Sequence, residues 1–275
     1  METFYIFWKP VDERIRTSIE KLGFPLDDPY SFRVSENDPR LQDVIGHIRK
    51  EGSGIRFRTV FSPDDLERAD FLAIRAADAR CLETENHMKR FRADTFCPEC
   101  GAGRYFPEAL ELDRLPKKGA VFGFADNQDE HLIIVEYPAW QRVFSGLGID
   151  AVPVERSGKR DERFVCLKIP VFGARFVFGK EVEGTLYDYK AIDHLDCDCF
   201  FERCRTCGIR KIMPLDRGML PRLNDARSAP IQLAGDLFGG GGLTSFYRIV
   251  VTHEAYKTIS RELPGSFVFR PLSGS

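Results

Sequence analysis

Two C-x-x-C-G turns lie far apart in the chain, and each is followed at a distance by an apolar strand, a short amphipathic helix and a second apolar strand. Together they predict an α+β fold: duplicated zinc-knuckle plus β-α-β units, preceded by an N-terminal α/β segment. A chain of 275 residues can bury a core of its own, so stability does not require disulfide staples. With 43% hydrophobic and 30% charged residues, the composition is globular and excludes disordered, collagen-like and membrane-spanning chains.

Residues 1–92 are expected to form the N-terminal α/β segment. It opens on the apolar run after Thr3, which reads as a strand because it lacks the basic start and longer apolar stretch of a signal peptide. A helix is predicted near Glu36 to Lys50, with Leu41, Val44, Ile45 and Ile48 on one face, Asp38 as N-cap and Pro39 at its first position. Strands follow at Ile55 to Phe61 and Phe71 to Ala76.

Residues 93–155 hold the first knuckle and its β-α-β unit, running from Leu132 through Trp140 to Val154. Residues 156–275 hold a central β pair (Val165 to Ile169 and Val171 to Phe178, around Pro170), the second knuckle, and a C-terminal β-α-β unit from Ile249 to Arg270. Aligned helix to helix, Ala139 matches Ala255, Trp140 matches Tyr256, Val143 matches Ile259 and Leu147 matches Leu263, which gives one apolar face twice. Convergence of two β-α-β units on one packing rule is the alternative to duplication. Gly239 to Gly242 reads as a flexible loop and lacks the Lys-Ser/Thr of a phosphate-binding loop.

The cysteines carry the sharpest chemical signal. Cys97-Pro-Glu-Cys100-Gly101 and Cys204-Arg-Thr-Cys207-Gly208 supply four thiols, the set that closes a tetrahedral structural Zn²⁺ site. Two residues between cysteines let both sulfurs reach one ion, and the glycine permits the positive-φ turn that aims backbone N–H groups at sulfur. Roughly 100 residues separate the knuckles, where a compact ribbon uses nearer 15 to 20, so the metal would clip two distant parts of the chain. Unmetallated turns and a redox pair are the alternatives. Cys197 and Cys199 could replace or supplement a ligand, while Cys81 and Cys166 read as small buried hydrophobes.

Catalytic candidates are thin. His47, His87, His131, His194 and His253 are scattered without a metalloprotease or nucleophile-elbow pattern, and His194 between Asp193 and Asp196 reads as an exposed polar turn. Four sulfurs leave no open coordination position, so no catalytic metal and no enzyme activity are expected. A net charge of −2 gives no global nucleic-acid footprint, although Arg203, Arg205, Arg210 and Lys211 cluster at the second knuckle. Acidic clusters at Asp27-Asp28, Asp64-Asp65 with Glu67, Asp126 with Asp129-Glu130, and Asp193 through Asp198 would suit a basic partner if they converged.

The two knuckles, with the ending from Phe246 through His253 to Leu272, resemble the double-CXXCG motif family, expanded in myxobacteria and including immunity proteins of Sit-type toxin systems. The likeness runs from Cys204 to Leu272 and, less closely, from Phe96 to Val154. It implies a non-enzymatic protein that binds a cognate antibacterial toxin and blocks it by stoichiometric protein–protein inhibition. Only Cys97, Cys100, Cys204 and Cys207 carry over as the motif; the toxin-contacting residues do not. A cytoplasmic location is expected, with no membrane, nucleic-acid or small-molecule partner. The rival reading is a zinc-ribbon-type nucleic-acid-binding or regulatory protein.

Overall fold

The computed structural model describes residues 1–8, 17, 21–24, 31–50, 54–80, 96–103, 107–112, 119–124, 131–178, 201–212, 218–225, 229–239 and 246–274. Cys81, Cys197, Cys199, His87, His194, Gly240 to Gly242 and the acidic clusters other than Asp64, Asp65 and Glu67 lie outside the described residues. The chain divides into two compact units: Met1–Asp65 with Phe178–Asp198 and Leu215–Met219, and Leu66–Val177 with Cys199–Pro214 and Leu220–Ser275. Both mix strand and helix, with sheets predominating.

In the first unit, β1 (Glu2–Trp8) is the middle strand of an antiparallel sheet, between β2 (Ser31–Ser35) and β3 (Gly54–Val60). Period-two alternation buries Thr3 and Tyr5 of β1 and Phe32 and Val34 of β2, while Phe4 and Ile6 stay half-buried. Helix α1 (Leu41–Lys50) buries Leu41, Val44 and Ile45, the expected face. The helix starts later than the predicted Glu36, and Pro39 lies in the turn before it rather than at its first position: Asp38 Oδ1 accepts the Arg40 N–H at 2.9 Å and the Asp38 carbonyl accepts the Leu41 N–H at 3.0 Å, so Asp38 shapes the entry turn. Hydrogen bonds from the Arg40 guanidinium hold the Asp38 carboxyl below its ordinary pKa. Asp65, in the short helix α2 (Pro63–Glu67), closes a capping box with Ser62 and also pairs with the Met1 ammonium at 2.7 Å.

The second unit holds β4 (Phe71–Ala76), β5 (Ala79–Arg80), β6 (Leu110–Glu111), β7 (Val121–Phe124), β8 (Ile133–Glu136), helix α3 (residues 137–147), β9 (Asp150–Arg156) and β10 (Lys159–Lys168). It continues through β11 (Phe201–Arg203), β12 (Arg210–Ile212), β13 (Ile231–Phe238), β14 (Phe246–Thr252), helix α4 (His253–Glu262) and β15 (Phe267–Pro271). They form two six-stranded sheets, ordered β5-β7-β8-β10-β9-β6 and β11-β12-β13-β14-β4-β15.

Each β-α-β unit is split. The strands flanking α3, β8 and β9, do not pair with each other; β10 lies between them, antiparallel to both. Around α4, β14 and β15 admit β4 in the same way. The registers agree residue by residue. Val165 sits between Val135 and Pro153, and Leu72 sits between Val251 and Pro271. Phe164 to Ile169 (FVCLKI) therefore fills the slot that Phe71 to Ala76 (FLAIRA) fills in the other sheet. One further strand out, Val121 faces Val135 as Ile231 faces Val251, and the Glu136 N–H meets the Ala120 carbonyl as the Thr252 N–H meets that of Pro230.

The expected β pair around Pro170 does not form. Past β10 the chain crosses to the second sheet: the Pro170 carbonyl accepts the Leu233 N–H at 2.9 Å, Val171 bridges Leu233, and Phe176 bridges Leu223. Proline has no N–H to continue the β10 ladder, and its carbonyl serves the other sheet instead.

One core joins the inner faces of both sheets. It takes Val135 and Leu167 from the first, Leu72, Ile74 and Val251 from the second, and Val143, Phe144 and Ile259 from the two helices. The sheets approach closely where Gly123 faces Ala76: a Cβ at Gly123 would lie 2.9 Å from that of Ala76, so a side chain there would force them apart. A second core covers the outer face of the first sheet with Leu110, Phe122, Ile134, Val154 and Phe164. Cys166 is fully buried in it, as expected. Among the described residues, no helix is long and apolar enough to cross a membrane.

Candidate metal centre

The knuckles are built by the same hydrogen bonds. The Gly101 N–H reaches the Cys97 carbonyl at 2.8 Å, and the Gly208 N–H reaches that of Cys204 at 2.9 Å. The Cys97 N–H returns to the Ala102 carbonyl at 2.8 Å, and the Cys204 N–H to that of Ile209 at 3.0 Å. Both glycines sit at φ 72°, the left-handed region that makes glycine the fitting residue after the second cysteine.

These turns bring the four predicted sulfurs together. The Sγ atoms of Cys97, Cys100, Cys204 and Cys207 all lie within 4.8 Å of one another, although the knuckles are 107 residues apart. Across the knuckles, Cys97 lies 3.8 Å from Cys204 and Cys100 lies 3.5 Å from Cys207. A tetrahedron of thiolates at the ~2.3 Å bond length of a tetrathiolate site has edges of about 3.8 Å, so the donor set fits one metal ion.

Electrostatics treats the sulfurs unequally, favouring the thiolate at Cys97 and disfavouring it at Cys100 and Cys207. Burial pushes Cys97 up, but backbone N–H groups of Cys100 and Glu99 and the thiols of Cys100 and Cys207 outweigh it and bring the group down to about 7. Burial dominates at Cys100 and raises it. At Cys207 the Ile209 N–H lowers the pKa, yet burial and the Cys204 and Cys97 thiols together leave it raised. Backbone N–H groups thus point at sulfur in both turns, the arrangement expected of the glycine-terminated knuckle. Metal binding would replace thiol protons at the centre.

Several neighbours were not signalled by sequence. Thr206 donates its hydroxyl to Glu99, and this contact first of all holds the Glu99 carboxyl below its ordinary range; Glu99 Oε2 also lies 3.6 Å from Cys204 Sγ. The Gly103 N–H donates to the Tyr247 hydroxyl at 3.0 Å, and Tyr247 meets His131 edge to face, ring centroids 5.6 Å apart. His131 and Tyr247 each stand two residues before equivalent strand positions, Ile133 and Ile249, so here too the two halves touch through matching residues. The signal available in the sequence was the equal spacing of Cys97 to Cys204 and Cys100 to Cys207.

Other sequence candidates separate. Lys211 is 2% exposed and cannot contribute to a basic surface, whereas Arg203 and Arg205 are exposed. His131 is buried, and His253 Nδ1 meets the Ala69 carbonyl at 3.1 Å with Nε2 3.6 Å from Glu67. Among the described residues, the four cysteines are the only group of three or more His, Cys, Asp or Glu side chains placed to share an ion. No known protein family, curated protein or solved structure matches the chain.

Proposed function

We propose that the protein is a cytoplasmic immunity protein that binds a cognate antibacterial toxin and neutralises it by stoichiometric inhibition. Its second unit is a duplicated zinc-knuckle plus β-α-β module, clipped by one structural Zn²⁺ on Cys97, Cys100, Cys204 and Cys207. The observation that supports this reading most is the convergence of four sulfurs from two hydrogen-bonded knuckles. Such a donor set is complete with sulfur and leaves no position for substrate, so it suits a cross-link that presents a surface for recognition. When bound, the ion supplies that cross-link between segments 107 residues apart. Matching registers in the two sheets, and the pairing of knuckle with knuckle, support duplication over convergence.

The test is purification of the full chain with the toxin encoded beside it, with metal analysis of the same sample. The expected result is a one-to-one complex holding about one zinc per chain, in which toxin activity is lost. Nucleic acid recovered in place of the toxin, with strongly salt-dependent affinity, overturns the reading in favour of a zinc-ribbon nucleic-acid-binding protein.

A further inference from the structure

The two knuckles share a backbone and differ in what they present to solvent. Ala102 and Ile209 hold the same place, each accepting the N–H of its knuckle's first cysteine, yet Ala102 is 6% exposed and Ile209 is 42% exposed. Arg203, Arg205 and Thr206 are exposed around Ile209; Arg205 lies close enough to Glu99 of the first knuckle to help lower that carboxyl's pKa, whereas none of the described residues forms an ion pair with Arg203. An isoleucine left in water adds nothing to the core. Beside two arginines it has the composition of an interface centre, where arginine and apolar anchors are enriched. The turn is also rigid, tied by its own hydrogen bonds and by the thiol cluster, so docking there would cost little ordering entropy.

The geometry points to the tip of the second knuckle, Arg203, Arg205 and Ile209, as the docking surface for an acidic polypeptide segment. A carboxylate of the segment pairs first with Arg203, the arginine that no described carboxylate engages, with Arg205 shared between the segment and Glu99, while a neighbouring apolar side chain covers Ile209. This rests on the immunity reading, in which the segment belongs to the toxin. The charge is complementary to carboxylates, whose planar geometry matches the guanidinium fork. A single-stranded nucleic acid would find cations but, within residues 203–211, no aromatic side chain on which to stack a base. The first knuckle offers Pro98 and Glu99 in place of Arg205 and Thr206, so it cannot serve the same ligand.

The test selects displayed random peptides on the full-length, zinc-loaded protein, then measures a synthetic peptide of the enriched sequence. The expected peptides carry Asp or Glu beside Leu, Ile or Phe. Their affinity should fall on the order of tenfold in Arg203→Glu and about fivefold in Ile209→Ser, with zinc content and melting temperature unchanged. Peptides without acidic residues, or equal affinity in both variants, overturn the proposal. Loss of zinc from Arg203→Glu also overturns it, since the arginine would then be a counter-charge to the thiolates. Capture of an RNA or DNA oligonucleotide that Arg203→Glu abolishes and the peptide does not displace assigns the tip to nucleic acid instead. With the toxin as a second probe, equal binding by wild type and both variants removes this surface and leaves the immunity reading standing. A wild type that binds the acidic peptide but no toxin keeps the surface and removes the immunity reading.

Discussion

The half of the second unit around α3 and the half around α4 place their central strands in the same registers and tie their knuckles with the same bonds, yet their outer faces have little in common. In the first sheet, Phe122, Leu132 and Val152 build an apolar second core. The matching positions in the second sheet are Gln232, Arg248 and Arg270. The helices diverge too. α4 is a regular helix capped by Thr252, whereas α3 passes through a π turn in which the Ser145 N–H reaches the Trp140 carbonyl. Backbone pairing and the buried inner face therefore specify this architecture, while outward positions are free to change chemistry.

The largest effect that sharpens the comparison comes from the centre both halves share. Cys97→Ser and Cys204→Ser should each lose the metal and destabilise the second unit by several kcal/mol, because metal-binding energy is partly folding energy. The two losses should be alike, since each knuckle supplies two ligands. Metal content with calorimetric melting checks this, and a large inequality would break the equivalence of the knuckles. Next, Phe144→Ala removes a fully buried ring that packs edge to face on Phe267 across the two halves, and should cost about 3–5 kcal/mol in denaturant unfolding. Charge across the same helices matters less: Arg142 and Glu262 pair at 3.6 Å but are exposed enough that the pair contributes little.

Gln232 tests the divergence directly. Its side chain is 1% exposed, and neither amide atom has a hydrogen-bond partner among the described residues. Gln232→Met, closer to the phenylalanine of the first half, should stabilise the protein by about 1–3 kcal/mol, as the cost of an unsatisfied buried amide disappears. A decrease in urea midpoint would show that this amide has a use in the second half. A smaller effect than these core changes belongs to Gly208 in the second knuckle. A Cβ on Gly208 meets nothing within 4 Å, so Gly208→Ala should cost only the left-handed strain of about 1–2 kcal/mol. Gly101 has the same φ but is buried, and its alanine variant should lose more in a parallel melting experiment.

Much of this was legible in the chain. The α1 face, the strand Phe71 to Ala76, both helices and the two cysteine turns follow from local pattern, because periodicity and C-x-x-C-G turns act over a few residues. What escaped was long-range. Nothing local tells β4 that its partners are β14 and β15, or β10 that it belongs between β8 and β9; yet the likeness of FLAIRA to FVCLKI was there to be aligned. The crossing at Pro170 was missed because two apolar runs around a proline also read as a hairpin. The exposure of Ile209 escaped for a related reason: a residue after a knuckle is buried or exposed according to what packs on it, and sequence spacing does not encode that.

The placement of β4 sets the order of events as the chain is made. β4 is synthesised early, but both of its neighbours, β14 and β15, follow only after β5 to β13. The sheet beside α4 therefore cannot close until β14 and β15 have been made, and the sheet beside α3 waits for β10. High contact order of this kind makes folding slow, and a nascent chain carrying an apolar, unpaired FLAIRA strand is exposed to aggregation throughout that wait. The second knuckle is thus made before the strands that complete the sheet beside it.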